Sequence, residues 1–423
     1  MRTSLRSSKK KEYVFFVRKK PFLIGIGVVV LCALYFGLPL AFRTTYTPTL
    51  PAAVVEALPV ADDIPTEPPV THLEAPDAVK AIYMTSCVVG TPSFRNDLVQ
   101  LVEETELNSL IIDIKDFSGF LSFKPENPEL TDLVSKRCMA PDMKAFIKTL
   151  HEKGIYVIGR ITVFQDPVLT LRRPDLAVKK KSDGTTWKDY KGLAFADVGS
   201  KEVWDYVVSI AKESYAIGFD ELNFDYVRFP SDGPMSDISF TWSGTRPKAD
   251  VLEDFFIYLA KELHPVGAVI SADLFGMTTT NTDDLNIGQV LEKAAPYFDY
   301  IAPMVYPSHY PPNFNGWANP NEHAYDIVKY SMSRAVERLR ATTTPIALQG
   351  AEPLSTTTKP MLYPKESLDI QKLRPWLQDF DYGGNYDIAE VKAQIQATYD
   401  SGLTSWMLWA PSNRYTKGAL LPK

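Results

Sequence analysis

From Val79 onward, short runs of β-branched and aromatic residues alternate with longer stretches in which apolar positions recur at helical spacing. Eight such runs are Val79–Val89, Ser109–Ile114, Ile155–Val163, Phe219–Val227, Ala268–Leu274, Tyr300–Tyr306, Arg374–Phe380 and Thr404–Trp409. Between them lie amphipathic stretches at Asp97–Glu106, Asp142–Lys153, Lys201–Ile217, Lys248–Leu263 and Tyr325–Leu339, several ending at a glycine that stops a helix. Repeated strand–helix units build a parallel sheet, and eight is the number that closes a (β/α)8 TIM barrel. An open doubly wound sheet shows the same alternation, but the chain has no glycine-rich phosphate loop to go with it. Ala341–Leu373 exceeds an ordinary connection and reads as an insertion.

The pattern before Val79 is different. Phe22 to Phe42 runs for 21 residues without a charge, enough for a helix to cover roughly 30 Å of hydrocarbon. Arg2, Arg6, Lys9, Lys10, Lys11, Arg18, Lys19 and Lys20 precede it, and Arg43 alone follows closely. The expectation is therefore a basic cytoplasmic tail (1–21), one transmembrane helix (22–42) and an extracytoplasmic remainder in the cell membrane. A cleaved signal peptide is the competing reading, but the run is long for one and no small-x-small site follows it. Seven prolines and few aromatics between Thr44 and Asp77 make 43–77 an extended linker, with the barrel occupying 78–423.

Charge and cysteines narrow the classes. The net charge of −6 divides into +8 over residues 1–43 and −14 over residues 44–423, and an acidic outer part argues against nucleic acid as a partner. Beyond Cys32 in the apolar run there are two cysteines, Cys87 and Cys138, which are either one disulfide or two buried thiols. No His/Cys cluster has metal-ligand spacing, and no Walker, dinucleotide or nucleophile-elbow motif occurs, so neither metal nor cofactor is expected.

In a (β/α)8 barrel the chemistry sits at the C-terminal strand ends. Strict alternation along "FDELNFDYVRFP" places Asn223, Asp225 and Val227 on one face and Phe224, Tyr226 and Arg228 on the other. "LIIDIKDFSG" places Asp113 and Lys115 on one face, and "VISADLFG" brings Asp273 to the same level, so three carboxylates converge. Glycoside cleavage needs a carboxylic acid and a second carboxylate, a pair that Asp273 as acid and Asp225 as nucleophile or base would supply. The alternative is structural: Asp225 pairs with Arg228 or Lys115, and Asp113 pairs with Lys115. Later runs add flat and hydrogen-bonding groups suited to sugars, namely Tyr306, His309, Trp376, Gln378, Asp379 and Trp409.

The ordered segments "NSLIIDIKDFSG", "GIYVIGRITVFQDP", "GFDELNFDYVRFP", "SADLFG", "APMVYPSHY", "RPWLQDF" and "WMLWAPSNRYT" resemble a family of glycoside-hydrolase-like TIM barrels, formerly a domain of unknown function and related to the amylase-like barrels. The resemblance spans about Val79 to Leu420 and implies a barrel with Asp225 in the family's "DYVRFP" motif. Where relatives carry a Trp-x-Asp-Pro type of segment, this chain reads "AFADVGSKEVWDY": Asp197 is kept, and Phe195 is the candidate stacking surface. The expected function is hydrolysis of an extracellular or cell-surface polysaccharide, with a non-catalytic glycan-binding or wall-organising barrel as the alternative.

Overall fold

A computed structural model describes residues 70–423 of the chain. The tail 1–21, the apolar run 22–42 and residues 43–69 lie outside the described residues, and among the described residues no helix is long and apolar enough to cross a membrane.

Eight parallel strands close into a barrel: β1 (Lys80–Met84), β2 (Ser109–Lys115), β3 (Tyr156–Thr162), β4 (Glu221–Asp225), β5 (Val269–Phe275), β6 (Tyr300–Met304), β7 (Trp376–Gln378) and β8 (Trp406–Trp409). Each pairs with its neighbour in chain order, and β8 returns to β1 through Lys80 opposite Trp406. The crossovers carry α1 (Pro92–Glu104), α2 (Met143–Glu152), α3 (Lys201–Ala216), α4 (Lys248–Leu263), α5 (Leu291–Ala294), α6 (Ala324–Arg340) and α7 (Ile388–Asp400). The fold is thus the (β/α)8 barrel that the alternating pattern predicts.

The differences have local causes. The first apolar run is strand only to Met84, because the Thr85 side chain caps a helical turn at Ser86–Val89 by accepting from the Val88 amide. α1 starts five residues before the expected stretch, with Pro92 in its first turn. α7 was not among the expected helices, although its capping box of Asp387 and Glu390 is a sequence-level start signal. The fifth crossover shrinks to the single turn of α5.

Both faces of the barrel wall are covered, which is why its strands read as nearly continuous apolar runs. On β3, Val157 and Ile161 join the large core between wall and helices, while Tyr156 and Ile158 face the interior. The lower interior holds a buried ion pair, Arg374 to Glu221 at 2.7 Å, to which the Tyr156 hydroxyl donates at 3.2 Å. Residues 70–77, extended by composition, pack against this end: Leu73 and Ala75 meet the interior cluster, the Leu73 amide donates to Asp220 Oδ1 at 2.7 Å, and His72 stacks on Tyr215 at 3.9 Å. Within the insertion, Thr343–Thr344 pairs antiparallel with Tyr363–Pro364. It joins α6 to β7, so barrel topology places it at the end opposite the strand C-termini.

Cys87 and Cys138 are disulfide-bonded, tying the turn after β1 to the segment before α2 across 51 residues. A loop of this length is constrained enough for the bond to add about 2–4 kcal/mol. Cys138→Ser should lower the thermal midpoint in calorimetry, and reductant should lower the parent to the same value; a midpoint insensitive to both would show that the bond adds nothing to stability.

Candidate active site

The interior changes character at the top of the strands. Arg160 on β3 lies in register between Asp113 on β2 and Asn223 on β4, which points its guanidinium into the barrel. Three carboxyl groups surround it. Nη1 donates to Asp113 Oδ1 at 2.7 Å, Nη2 donates to Asp225, and Nε lies 3.6 Å from Asp273 Oδ2. Burial acts against the cation, but Asp225, Asp113, Tyr83 and Asp273 outweigh it and hold the guanidinium well above its ordinary range. Trp409 and Tyr83, stacked on each other at 4.1 Å, lie 5.1 Å and 5.6 Å from its central carbon.

One cation cannot satisfy three carboxylates in a low-dielectric interior. Burial, and next the charge of Asp225, push Asp273 up to about 8. Its Oδ1 accepts from Asn223 Nδ2 at 2.9 Å and from the Trp376 indole at 2.8 Å. Two donors thus occupy Oδ1, while Oδ2 faces Arg160 Nε. Burial also raises Asp113, against the pull of Arg160 and of the Tyr83 hydroxyl that donates to it.

Above this centre opens a cavity of about 610 Å³. Asp225, Asp273 and Arg160 form its charged floor, and Tyr226, Phe275, Met304, Tyr306, Trp376, Phe380, Tyr382 and Trp409 give it broad apolar walls. Gly276 is required on this wall, since a Cβ there would stand 2.5 Å from the Met304 carbonyl oxygen and 2.6 Å from the Tyr310 hydroxyl. Tyr226 has φ +52°, a left-handed conformation costing a side-chain-bearing residue about 1–2 kcal/mol. That kink directly follows β4 and brings both Tyr226 and Arg228 to the cavity. Among the described residues, no cluster of three or more His, Cys, Asp or Glu is placed to hold a metal ion.

The sequence profile of the family described as "Putative glycosyl hydrolase domain" matches residues 81–415, essentially the whole barrel. The chain belongs to this family. A solved hypothetical protein from Ruminiclostridium thermocellum is 34% identical over 45% of this chain and 96% of its own, with a TM-score of 0.41. The PgaB (BpsB) glycoside hydrolase domain from Bordetella bronchiseptica shares the fold at 12% identity, covering 82% of this chain and 99% of that one with a TM-score of 0.51. Alpha-L-fucosidase isoenzyme 2 from Paenibacillus thiaminolyticus matches at 12% identity over 81% of this chain and 47% of that one, also with a TM-score of 0.51. No curated protein sequence matches the chain.

Of the residues singled out in the sequence of this glycosyl hydrolase domain, Asp225, Asp273, Arg228, Tyr306, His309, Trp376 and Trp409 line one cavity. Burial holds His309 below its ordinary value, so it faces the cavity neutral at pH 7. Four others do not line it. A register shift between Asp113 and Lys115 removes them from a shared face: Asp113 sits behind Arg160, and Lys115, fully buried, meets Asp166 beside Tyr206. Gln378 is fully buried, and its Oε1 accepts from the Ser308 hydroxyl at 2.8 Å, so it anchors the loop that carries His309. β7 ends at Gln378, and Asp379 beyond it accepts from the Thr416 hydroxyl at 2.6 Å and amide at 2.9 Å, holding the C-terminal segment. Asp225 pairs with neither Arg228 nor Lys115, because Arg160 takes it. Phe195 is fully buried beside Trp187 and offers no face to a sugar. Asp197 accepts from the Ser243 amide at 3.1 Å and the Trp242 amide at 2.8 Å, a loop anchor.

Sequence reasoning missed Arg160, although it is the lone charge in "YVIGRIT" and shares the parity of the inward Tyr156 and Ile158. Arg160→Met should cost about 3–5 kcal/mol by stranding buried carboxyl groups without a cation. The loss should shrink at lower pH, where those groups take up protons. Denaturant unfolding at about pH 8 and about pH 5 measures both effects, and equal losses would refute the charge-balance account.

Proposed function

We propose that this chain is a glycosidase that hydrolyses an O-glycosidic bond of an extracellular or cell-surface polysaccharide, with Asp273 as general acid and Asp225 as nucleophile or base. The observation that carries the reading is a pair of buried carboxyl groups, Asp225 and Asp273, sharing one guanidinium on the floor of an aromatic cavity, with burial and the charge of Asp225 pushing Asp273 up to about 8. Environments that push two carboxyls apart in acidity are how such sites divide the acid and base roles. Both groups approach one guanidinium, so they lie no further apart than the roughly 9.5 Å at the upper end of glycosidase spacings.

In the first step, Asp273 gives its proton to the leaving glycosidic oxygen while positive charge develops at the anomeric carbon. Asp225 either attacks that carbon, giving a glycosyl-enzyme that water then cleaves as Asp273 takes the water's proton, or takes a proton from water that attacks the carbon directly. Trp376 and Asn223 hold Asp273 in place, and Trp409, Tyr306 and Tyr226 offer flat faces to sugar C–H surfaces. A non-catalytic glycan-binding barrel is the second reading, favoured by the Asp225–Arg160 contact, since a carboxylate bound to a guanidinium is a weaker nucleophile or base. For location we propose a single-pass anchor at 22–42, an extended linker after it, the N-terminus in the cytoplasm and the barrel outside. The charge asymmetry around that run supports this topology, and so does the disulfide, because such bonds persist in oxidising compartments.

The full chain in nonionic detergent should release reducing ends from a polysaccharide panel, and Asp225→Asn and Asp273→Asn should each lower kcat by about 10²–10⁴-fold. Undiminished turnover in both variants would refute the assignment, and binding without turnover by the parent would favour the second reading. As general acid Asp273 acts only while protonated, so kcat/KM should fall as pH rises through about 8, and a profile flat from pH 6 to 9 would remove it from that role. Its raised value also means that folded stability declines between the ordinary carboxylate range and about 8.

A further inference from the structure

One wall of the cavity is built differently from the rest. The long connections after β3 and β4 are joined by an antiparallel pairing of Lys179–Lys180 with Ile238–Ser239. Beneath them Val178, Trp187 and Phe195 form a separate core, against which Tyr226 and Phe240 pack. This platform presents two cations to the cavity, Arg228 and Lys191.

Arg228 is only 8% exposed, and its guanidinium is framed by Tyr226 at 4.9 Å, Phe275 at 5.1 Å and Phe195 at 5.8 Å. Nη1 is used by the Phe229 carbonyl and the Ser231 hydroxyl, each at 3.1 Å. Among the described residues Nε and Nη2 make no hydrogen bond, and neither Arg228 nor Lys191 has an ion-pair partner. Burying a guanidinium without a direct ion pair is costly, and burial lowers its pKa even though Tyr226, Asp225, Asp232 and Asp189 lie near enough to favour the cation. A planar fork with two free N–H edges matches a carboxylate, sulfate or phosphate group. The cavity lining agrees: three cations, Arg160, Lys191 and Arg228, stand against two carboxyl groups, Asp225 and Asp273, in a chain whose net charge is −6.

We propose that the substrate is an acidic glycan, and that Arg228, assisted by Lys191, binds an anionic substituent on a sugar seated next to the Asp225–Asp273 pair. This inference rests on the glycosidase reading and narrows it. The aromatic frame fixes the guanidinium plane, so the substituent is read by direction as well as charge. A neutral sugar at this position would offer hydroxyl oxygens, which are weaker acceptors for the guanidinium than an anion, and this difference sets the discrimination.

The test pairs each acidic polysaccharide with its neutral counterpart: a polyuronate with its carboxyl-reduced form, a sulfated glycan with its desulfated form, and a phosphate-bearing glycan with its dephosphorylated form. The full chain in nonionic detergent should show kcat/KM at least tenfold higher for the acidic member of one pair, and the pair that responds identifies the anion. Arg228→Gln should abolish that preference mainly through KM, Arg228→Lys should retain part of it, and Lys191→Gln, at an exposed position, should weaken it without affecting folding. Equal turnover of both members, or a preference unchanged in Arg228→Gln and Lys191→Gln, overturns the proposal while leaving the glycosidase reading intact. If nothing in the panel is cleaved, the glycosidase reading fails, and calorimetry of the parent with the same oligosaccharides decides the anion site: binding of the acidic members alone, lost in Arg228→Gln and weakened in Lys191→Gln, upholds it, and no such binding, or binding unchanged in both variants, overturns it.

Discussion

A single guanidinium shared by three carboxyl groups organises the centre of this barrel. Arg160 reaches Asp113, Asp225 and Asp273 from one strand position, and it is aimed there by its register between β2 and β4. The apolar wall around it makes every uncompensated charge expensive, so the cluster settles by keeping a proton on the carboxyl least well served by the cation. That group is Asp273, which sees only Nε at 3.6 Å and accepts its other contacts from two neutral donors. The general acid of the proposed reaction is thus a product of charge competition among neighbours.

The same constraint divides the site into layers. Asp113 and Tyr83 lie behind Arg160 and set its position, whereas Asp225 and Asp273 lie in front and face the cavity. Beneath them a second buried pair, Arg374 with Glu221, closes the lower interior in a separate charge-balanced layer. Each layer sets a guanidinium against carboxyl groups, which is what allows a barrel interior to carry so much charge, although Arg160 Nε, Asn223 Oδ1 and Arg374 Nε are buried without a hydrogen-bond partner.

The mouth follows a different logic. There the chain leaves β4 through the left-handed Tyr226, and the strain of that residue is met by a platform of packed aromatics under the long loops. Turning the chain at this point puts Arg228 on the cavity wall beside Tyr226. The proposed catalytic groups therefore sit on regular strands, where position is best defined, and the groups that would choose a substrate sit on the loops after β3 and β4.

The repeat of strand and helix, the eight strands, and the convergence of Asp225 with Asp273 were legible in the sequence, because period-2 and period-3.6 patterns are local and strand ends in a barrel share one face. Lys115, Gln378 and Asp379 were misplaced for the same reason that Arg160 was missed: alternation is a local rule that knows nothing of a register shift, a strand that stops two residues early, or a partner 65 residues away. Residue types and spacing established a barrel with acidic strand ends and aromatic later strands. Only the closed tertiary structure decided which carboxyl keeps its proton and which arginine stays free for a ligand, since both depend on distances between strands that no single segment contains.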